Sequence, residues 1–203
     1  MVHRMTSSLP LLLLAVVPRI RAFSSQLPTV RSLSIARRTI HRMPGHVEAR
    51  LEELGLVLPP PPAPKASYAS VCLTGDLLFM SGHLPLTADG NLLTGAVGPG
   101  GKSVDEAYVA AKNVGLNILA TLKNELGDLD RVDQIVKLFG IVNSHTDFKE
   151  QHRVLDGCSD LMAEVFGTPA GIHARSAIGT NTLPLDITVE VEAIVRVRPA
   201  ALG

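Results

Sequence analysis

The stretch that decides the fold reads His173-Ala174-Arg175-Ser176-Ala177-Ile178, then Leu183-Pro184, then Ile187-Thr188-Val189-Glu190-Val191-Glu192-Ala193. Its second half alternates. Ile187, Val189, Val191, Ala193, Val195 and Val197 share one face, and Asp186, Thr188, Glu190, Glu192, Arg196 and Arg198 share the other. A period of two with one apolar side is the signature of a half-buried strand. Residues 174–180 predict a strand just before it, and the two are expected to pair as a hairpin. Such a hairpin presents Arg175 on its first strand and Glu190 with Glu192 on one face of its second. The planar fork of an arginine suits a carboxylate ligand. A neighbouring glutamate can orient a water or shuttle a proton. The residues alone leave a second reading open: an exposed strand whose Arg and Glu simply pair with each other.

Upstream, residues 103–126 predict the clearest helix. Val104, Ala107, Tyr108, Ala111, Ile118, Leu119, Leu122 and Leu126 recur on one face. Ser103 with Glu106 forms a capping box, and Gly127 is the stop. Residues 132–142 are apolar on both sides and predict a central strand. Phe148, Gln151, Leu155, Cys158, Met162 and Phe166 mark a second helix ended by Gly167. Residues 71–73 and 77–80 flank Gly75-Asp76 and predict a hairpin. A short helix over 47–54, ended by Gly55, precedes a proline-rich extended spacer at 59–64. The order is helix, hairpin, helix, strand, helix, hairpin, which predicts an α+β fold with helices packed on one face of a sheet.

The chain has 203 residues, 46% of them apolar, which suits one domain with an extension. Residues 1–47 hold no Asp or Glu but seven Arg, together with many Ser. That is the composition of an organelle targeting leader. Residues 1–42 are therefore set apart as a leader, and 43–200 as the folded domain. The apolar run at 9–17 is far shorter than the ~20 residues of a membrane span. Entry to the mitochondrial matrix is the first expectation; a two-part leader to a plastid is the alternative. Seven of the 19 basic residues lie in the leader, leaving 12 against all 19 acidic ones. An acidic body with 3% aromatic residues is poorly matched to phosphate backbones or stacked bases. Two cysteines, Cys72 and Cys158, make neither a disulfide framework nor a metal cluster.

Three motifs fall short of their chemistry. Gly98-Pro99-Gly100-Gly101-Lys102-Ser103 lacks the spacing of a phosphate loop, with Ala96 where a glycine is required. Asp105 and Glu106 also occupy the first helical turn, where a phosphate would sit. His145, Asp147 and His152 lack the compact spacing of helical metal ligands. No Gly-x-Ser-x-Gly elbow supports a hydrolase triad.

The late signature Ala174-Arg175-Ser176, Leu183-Pro184 and Val189-Glu190-Val191-Glu192-Ala193 resembles that of the YjgF/RidA family, also called endoribonuclease L-PSP or chorismate mutase-like. Leu78-Phe79-Met80-Ser81-Gly82-His83-Leu84-Pro85 is similar to the family's second strand and Ser-Gly turn. The likeness spans residues 47–198, and the added first helix, the proline run and residues 160–167 resemble the longer, less characterised branch. The resemblance implies a chorismate-mutase-like α+β unit assembled as a homotrimeric ring with clefts between subunits. It implies hydrolysis of reactive 2-imino or enamine acids to 2-oxo acids and ammonia, with no metal or organic cofactor. On matching positions, Arg175 clamps the substrate carboxylate, and Glu190 holds the attacking water with the Ala177 backbone. Gly82 lies close to the ligand, and Tyr68 reaches across from the neighbouring subunit. Nucleic-acid or membrane partners are not expected. Three departures stand out. Ala177 replaces the family's common Cys, Asp156 stands at a substrate-side position often Asn, and Gly179 replaces a polar or acidic residue. They keep two other readings in view: a non-catalytic small-molecule-binding or regulatory trimer, and an endoribonuclease.

Overall fold

The computed structural model describes residues 45–61 and 67–199. The leader at 1–42 and positions 62–64 of the spacer lie outside the described residues. Described from its N-terminus, the domain runs α1 (His46–Glu53), β1 (Val71–Thr74), β2 (Leu77–His83), α2 (Val104–Leu126), β3 (Val132–Asn143), α3 (Gln151–Phe166), β4 (Ala174–Thr180) and β5 (Val189–Val197). The strands form one mixed sheet in the order β1-β2-β5-β3-β4.

Local chemistry explains most of the elements. Thr74 pairs with Leu77 across a two-residue loop, where Gly75 takes φ 60°. Only glycine adopts that region without strain. Ser103 and Glu106 cap α2 reciprocally: the Ser103 hydroxyl accepts from the Glu106 amide, and the Glu106 carboxylate accepts from the Ser103 amide. Gly127 ends α2 as expected. The second helix begins at Gln151, so Phe148 precedes it in the turn rather than lying on it.

The expected hairpin between the last two strands does not form. β3 lies between β4 and β5, parallel to the first and antiparallel to the second. Helix α3 is the crossover that carries the chain from β3 to β4, which parallel pairing requires. Alternation along β5 marks which side chains face the core; it carries no information about which strand donates the backbone partners.

The core lies between one face of the sheet and the helices. Val189, Val191, Ala193, Val195 and Val197 of β5 are buried, as are Leu138 and Val142 of β3. They meet Ala111, Val114, Ile118 and Leu122 of α2 and Leu155, Cys158 and Met162 of α3. The two helices approach closely at Gly157, where an added Cβ would stand 2.1 Å from the Tyr108 carbonyl oxygen. The other sheet face carries Phe79, Phe139, Ile141, Ile178 and Ile194 among Glu190, Glu192 and Lys137. Phe79 and Ile178 are exposed there. Helices on a single face were expected, and that is the arrangement found.

Candidate functional site

Two polar centres emerge from this frame. The first sits at the β4 edge. Arg175 is in register with Leu138, so it points to the helix side of the sheet. Its Nη1 donates to Asp156 Oδ1 at 2.8 Å and to Ser159 Oγ at 3.0 Å, both on α3. No other donor of this guanidinium is engaged among the described residues. Its side chain is 24% exposed, that of Asp156 43%. His173 contacts the same Ser159 hydroxyl through Nε2 at 3.0 Å, and its Nδ1 lies 2.8 Å from the Gly171 carbonyl oxygen. Burial, and then the charge of Arg175, hold His173 below its ordinary pKa, against that carbonyl contact. The buried Cys158 thiol is pushed up to about 12 by burial, so it is an inert core group.

Ala177 and Gly179 continue the Arg175 row on the same side, opposite Gly140 and Val142. Ala177 packs against the core. At Gly179 an added Cβ would stand 2.6 Å from Ser144 Oγ and 2.7 Å from Gln151 Nε2. The missing side chain there admits two neutral polar groups to the strand.

The second centre lies across the sheet. Glu190 is in register with Ile141 and faces the helix-free side. Its carboxylate rests directly on Gly82: an added Cβ would meet Glu190 Oε1 at 1.7 Å. The expected Ser-Gly turn is strand: Ser81 and Gly82 lie inside β2, and a register irregularity between Met80 and His83 sets them against β5. Ser81 Oγ donates to the Ala69 carbonyl at 2.8 Å, which brings the segment carrying Tyr68 alongside. Tyr68 is 49% exposed. His83, buried, braces this end of β2 from behind, with Nδ1 2.7 Å from the Ser81 carbonyl oxygen and Nε2 2.8 Å from Thr121 Oγ1. Burial depresses its pKa. Glu190 is shifted the other way: burial first, then the negative charge of Glu192, raise its carboxyl above the ordinary value. A carboxylate with a raised pKa is suited to taking a proton from water.

Arg175 thus meets Asp156, and Gly82 meets Glu190, but the two pairs lie on opposite faces of the sheet within one chain. Two strand spacings, ~10 Å, also separate β4 from β5. The Arg–Glu pairing that the residues alone left open does not occur: Arg175 pairs with Asp156. Ser159 and His173 were not expected at the site. Ser159 was legible in one respect, standing three residues after Asp156 on the same helix face.

The model of the YjgF/chorismate mutase-like endoribonuclease family matches residues 48–195, which contain every one of these positions. The chain belongs to the YjgF/chorismate mutase-like family. Protein TCP17 of Trypanosoma cruzi is 42% identical over 151 residues, 74% of this chain and 94% of that protein. The yeast protein MMF1, mitochondrial by name, is 30% identical over 137 residues, 68% of this chain and 78% of its own length. A crystal structure from Shewanella oneidensis superposes with a TM-score of 0.71 at 34% identity, covering 74% of this chain and 99% of that one. The mixed five-stranded sheet with helices on one face is the YjgF-type fold.

Proposed function

We propose that the protein hydrolyses reactive 2-imino or enamine acids to 2-oxo acids and ammonia. The observation that carries this reading is the guanidinium of Arg175, held through Nη1 alone, with its remaining donors free for a ligand carboxylate. A bidentate arginine–carboxylate contact fixes both the position and the plane of a small acid. Glu190, with its raised pKa, accepts a proton as water adds to the imine carbon. Glu190 then passes this proton to the carbinolamine nitrogen, and as the C–N bond breaks the hydroxyl gives its proton back to Glu190, leaving the 2-oxo acid and ammonia. The imine carbon is already electrophilic, so holding acid and water in line supplies most of the rate.

Arg175 and Glu190 face opposite ways within one chain, so this chemistry requires a second copy. The reading is a homotrimer in which Arg175 of one subunit faces Glu190, Gly82 and Tyr68 of the next. The exposure of Phe79 and Ile178 on the helix-free sheet face supports self-association. The acid-free, arginine-rich residues 1–42 and the mitochondrial name of the yeast relative support targeting to the mitochondrial matrix.

The test is ammonia release from freshly generated 2-iminopropanoate and 2-iminobutanoate by the full chain, beside Arg175→Ala and Glu190→Gln. Both variants are expected to lose activity while remaining folded. A folded, inactive wild type that still binds 2-oxo acids would replace this reading with a ligand-binding trimer. Asp156, which puts a negative charge on Arg175, is the observation favouring that second reading.

A further inference from the structure

A third polar cluster shares no residue with either centre and lies between α1 and the turn that follows α2. It contains Glu48, Asp128 and Asp130. Half of its carboxylate oxygens are engaged. Glu48 Oε1 accepts from Lys123 Nζ at 2.6 Å and from the Leu129 amide at 3.0 Å. Asp130 Oδ2 accepts from the His46 amide at 2.7 Å, and Asp128 Oδ1 accepts from the Asp130 amide at 2.8 Å. Asp128 Oδ2 and two further oxygens are left over. Glu48 Oε2 and Asp130 Oδ1 are fully buried with no hydrogen-bond partner among the described residues. Asp130 as a whole is 8% exposed. A buried carboxylate oxygen facing neither donor nor cation is strongly unfavourable, and here two belong to one cluster. One candidate ligand atom from each of the three residues lies within 4.8 Å of the others.

We propose that Glu48, Asp128 and Asp130 bind one calcium ion, which staples helix α1 to the turn after α2. Charge supports it. Three carboxylates share one ammonium, that of Lys123, leaving two negative charges for the ion to neutralise. The nearby Arg198 spends its guanidinium on the Asp130 main-chain carbonyl and on Asp133, not on the Asp130 carboxylate. Donor chemistry supports it too: oxygen ligands with no thiolate or imidazole select hard cations. Both ions allow ligand atoms within 4.8 Å of one another. Dehydration separates them: magnesium keeps several waters and takes one or two carboxylates, whereas calcium accepts a set of carboxylate oxygens. This site takes no part in the proposed hydrolysis, so its test does not depend on that reading.

The experiment uses the full chain after chelator treatment, titrated calorimetrically with CaCl2 and with MgCl2 at matched ionic strength, and melted with and without each ion. One saturable calcium site is expected, tighter than magnesium. Tm should rise by roughly 5–10 °C at ~100-fold excess over Kd. Asp130→Asn should abolish both responses, yet melt no lower than wild type without calcium, because it removes an unpartnered buried charge. Glu48→Gln, which also loosens Lys123, should abolish calcium binding as well, so the proposal stays testable if Asp130→Asn does not fold. The proposal is overturned if folded wild type shows no saturable heat at millimolar calcium. It is equally overturned if both variants bind calcium as tightly as wild type, or if magnesium binds tighter than calcium.

Discussion

Gly82→Ala tests the geometry of the second centre with a single methyl group. Gly82 carries no positive φ, so alanine meets no backbone strain there, and the whole effect must come from its Cβ. That Cβ would stand 1.7 Å from Glu190 Oε1, 2.6 Å from Cδ and 2.8 Å from Cγ. Ordinary contact begins near 3.4 Å, so the carboxylate oxygen must retreat by the difference, 1.7 Å, and the side chain must rotate off the strand. A displacement of this size in a catalytic group lowers a rate by ~10²-fold. Stability should barely change, within ~0.5 kcal/mol. Glu190 is only half-buried, and its burial disfavours the charged form it would carry into solvent. The assay is kcat for 2-iminobutanoate hydrolysis, with Tm measured alongside. Gly82→Ala should fall ~100-fold, and adding Glu190→Gln to it should lower the rate no further than Glu190→Gln alone, because both changes remove one group. Wild-type kcat in Gly82→Ala, together with an inactive Glu190→Gln, would refute the claim that the carboxylate works from its seat on Gly82. A large fall in Tm would instead make Gly82 a structural glycine.

Other perturbations probe the remaining parts. Mixing Arg175→Ala and Glu190→Gln chains through denaturation and refolding should restore about one quarter of wild-type activity, since that share of intersubunit sites receives both native residues; no recovery would refute a shared site. Asp156→Asn removes a carboxylate competing for Arg175 and should lower KM for an imino acid ~2–5-fold, the scale of a partly exposed ion pair; an unchanged KM would mean that substrate does not meet this guanidinium. His83 and His173 both have depressed pKa values in the fold. The unfolded chain therefore binds more protons, and stability should fall as pH drops below their ordinary 6.5 towards the folded values. Thermal melts across pH 5–8 read this, and His83→Gln should flatten part of the slope. The raised Glu190 pKa places the acid limb of the hydrolysis profile above 4.5, and that limb should vanish in Glu190→Gln.

Much of this architecture is written locally. Gly75-Asp76 specifies the first hairpin because a two-residue loop needs a residue at positive φ. Ser103 and Glu106 specify where α2 begins because its first amides need acceptors. The alternation from Ile187 to Val197 specifies which side of β5 is buried, and the motif around Arg175 and Glu190 specifies the family. Each of these is a property of neighbours along the chain. Partner choice is not such a property. Backbone hydrogen bonds between strands are alike for every side chain, so nothing in β4 or β5 announced that β3 would separate them. The face of Arg175 relative to Glu190 follows only from that register, since alternation does not carry through the irregular loop between the two strands. The seat of Glu190 on Gly82 joins residues 108 positions apart, and it exists because the irregularity in β2 presses a residue without a side chain against β5. The two unpartnered oxygens of Glu48 and Asp130 share that origin. Their residues are ordinary acids in sequence, and only the docking of α1 on the turn after α2 buries them together without a donor.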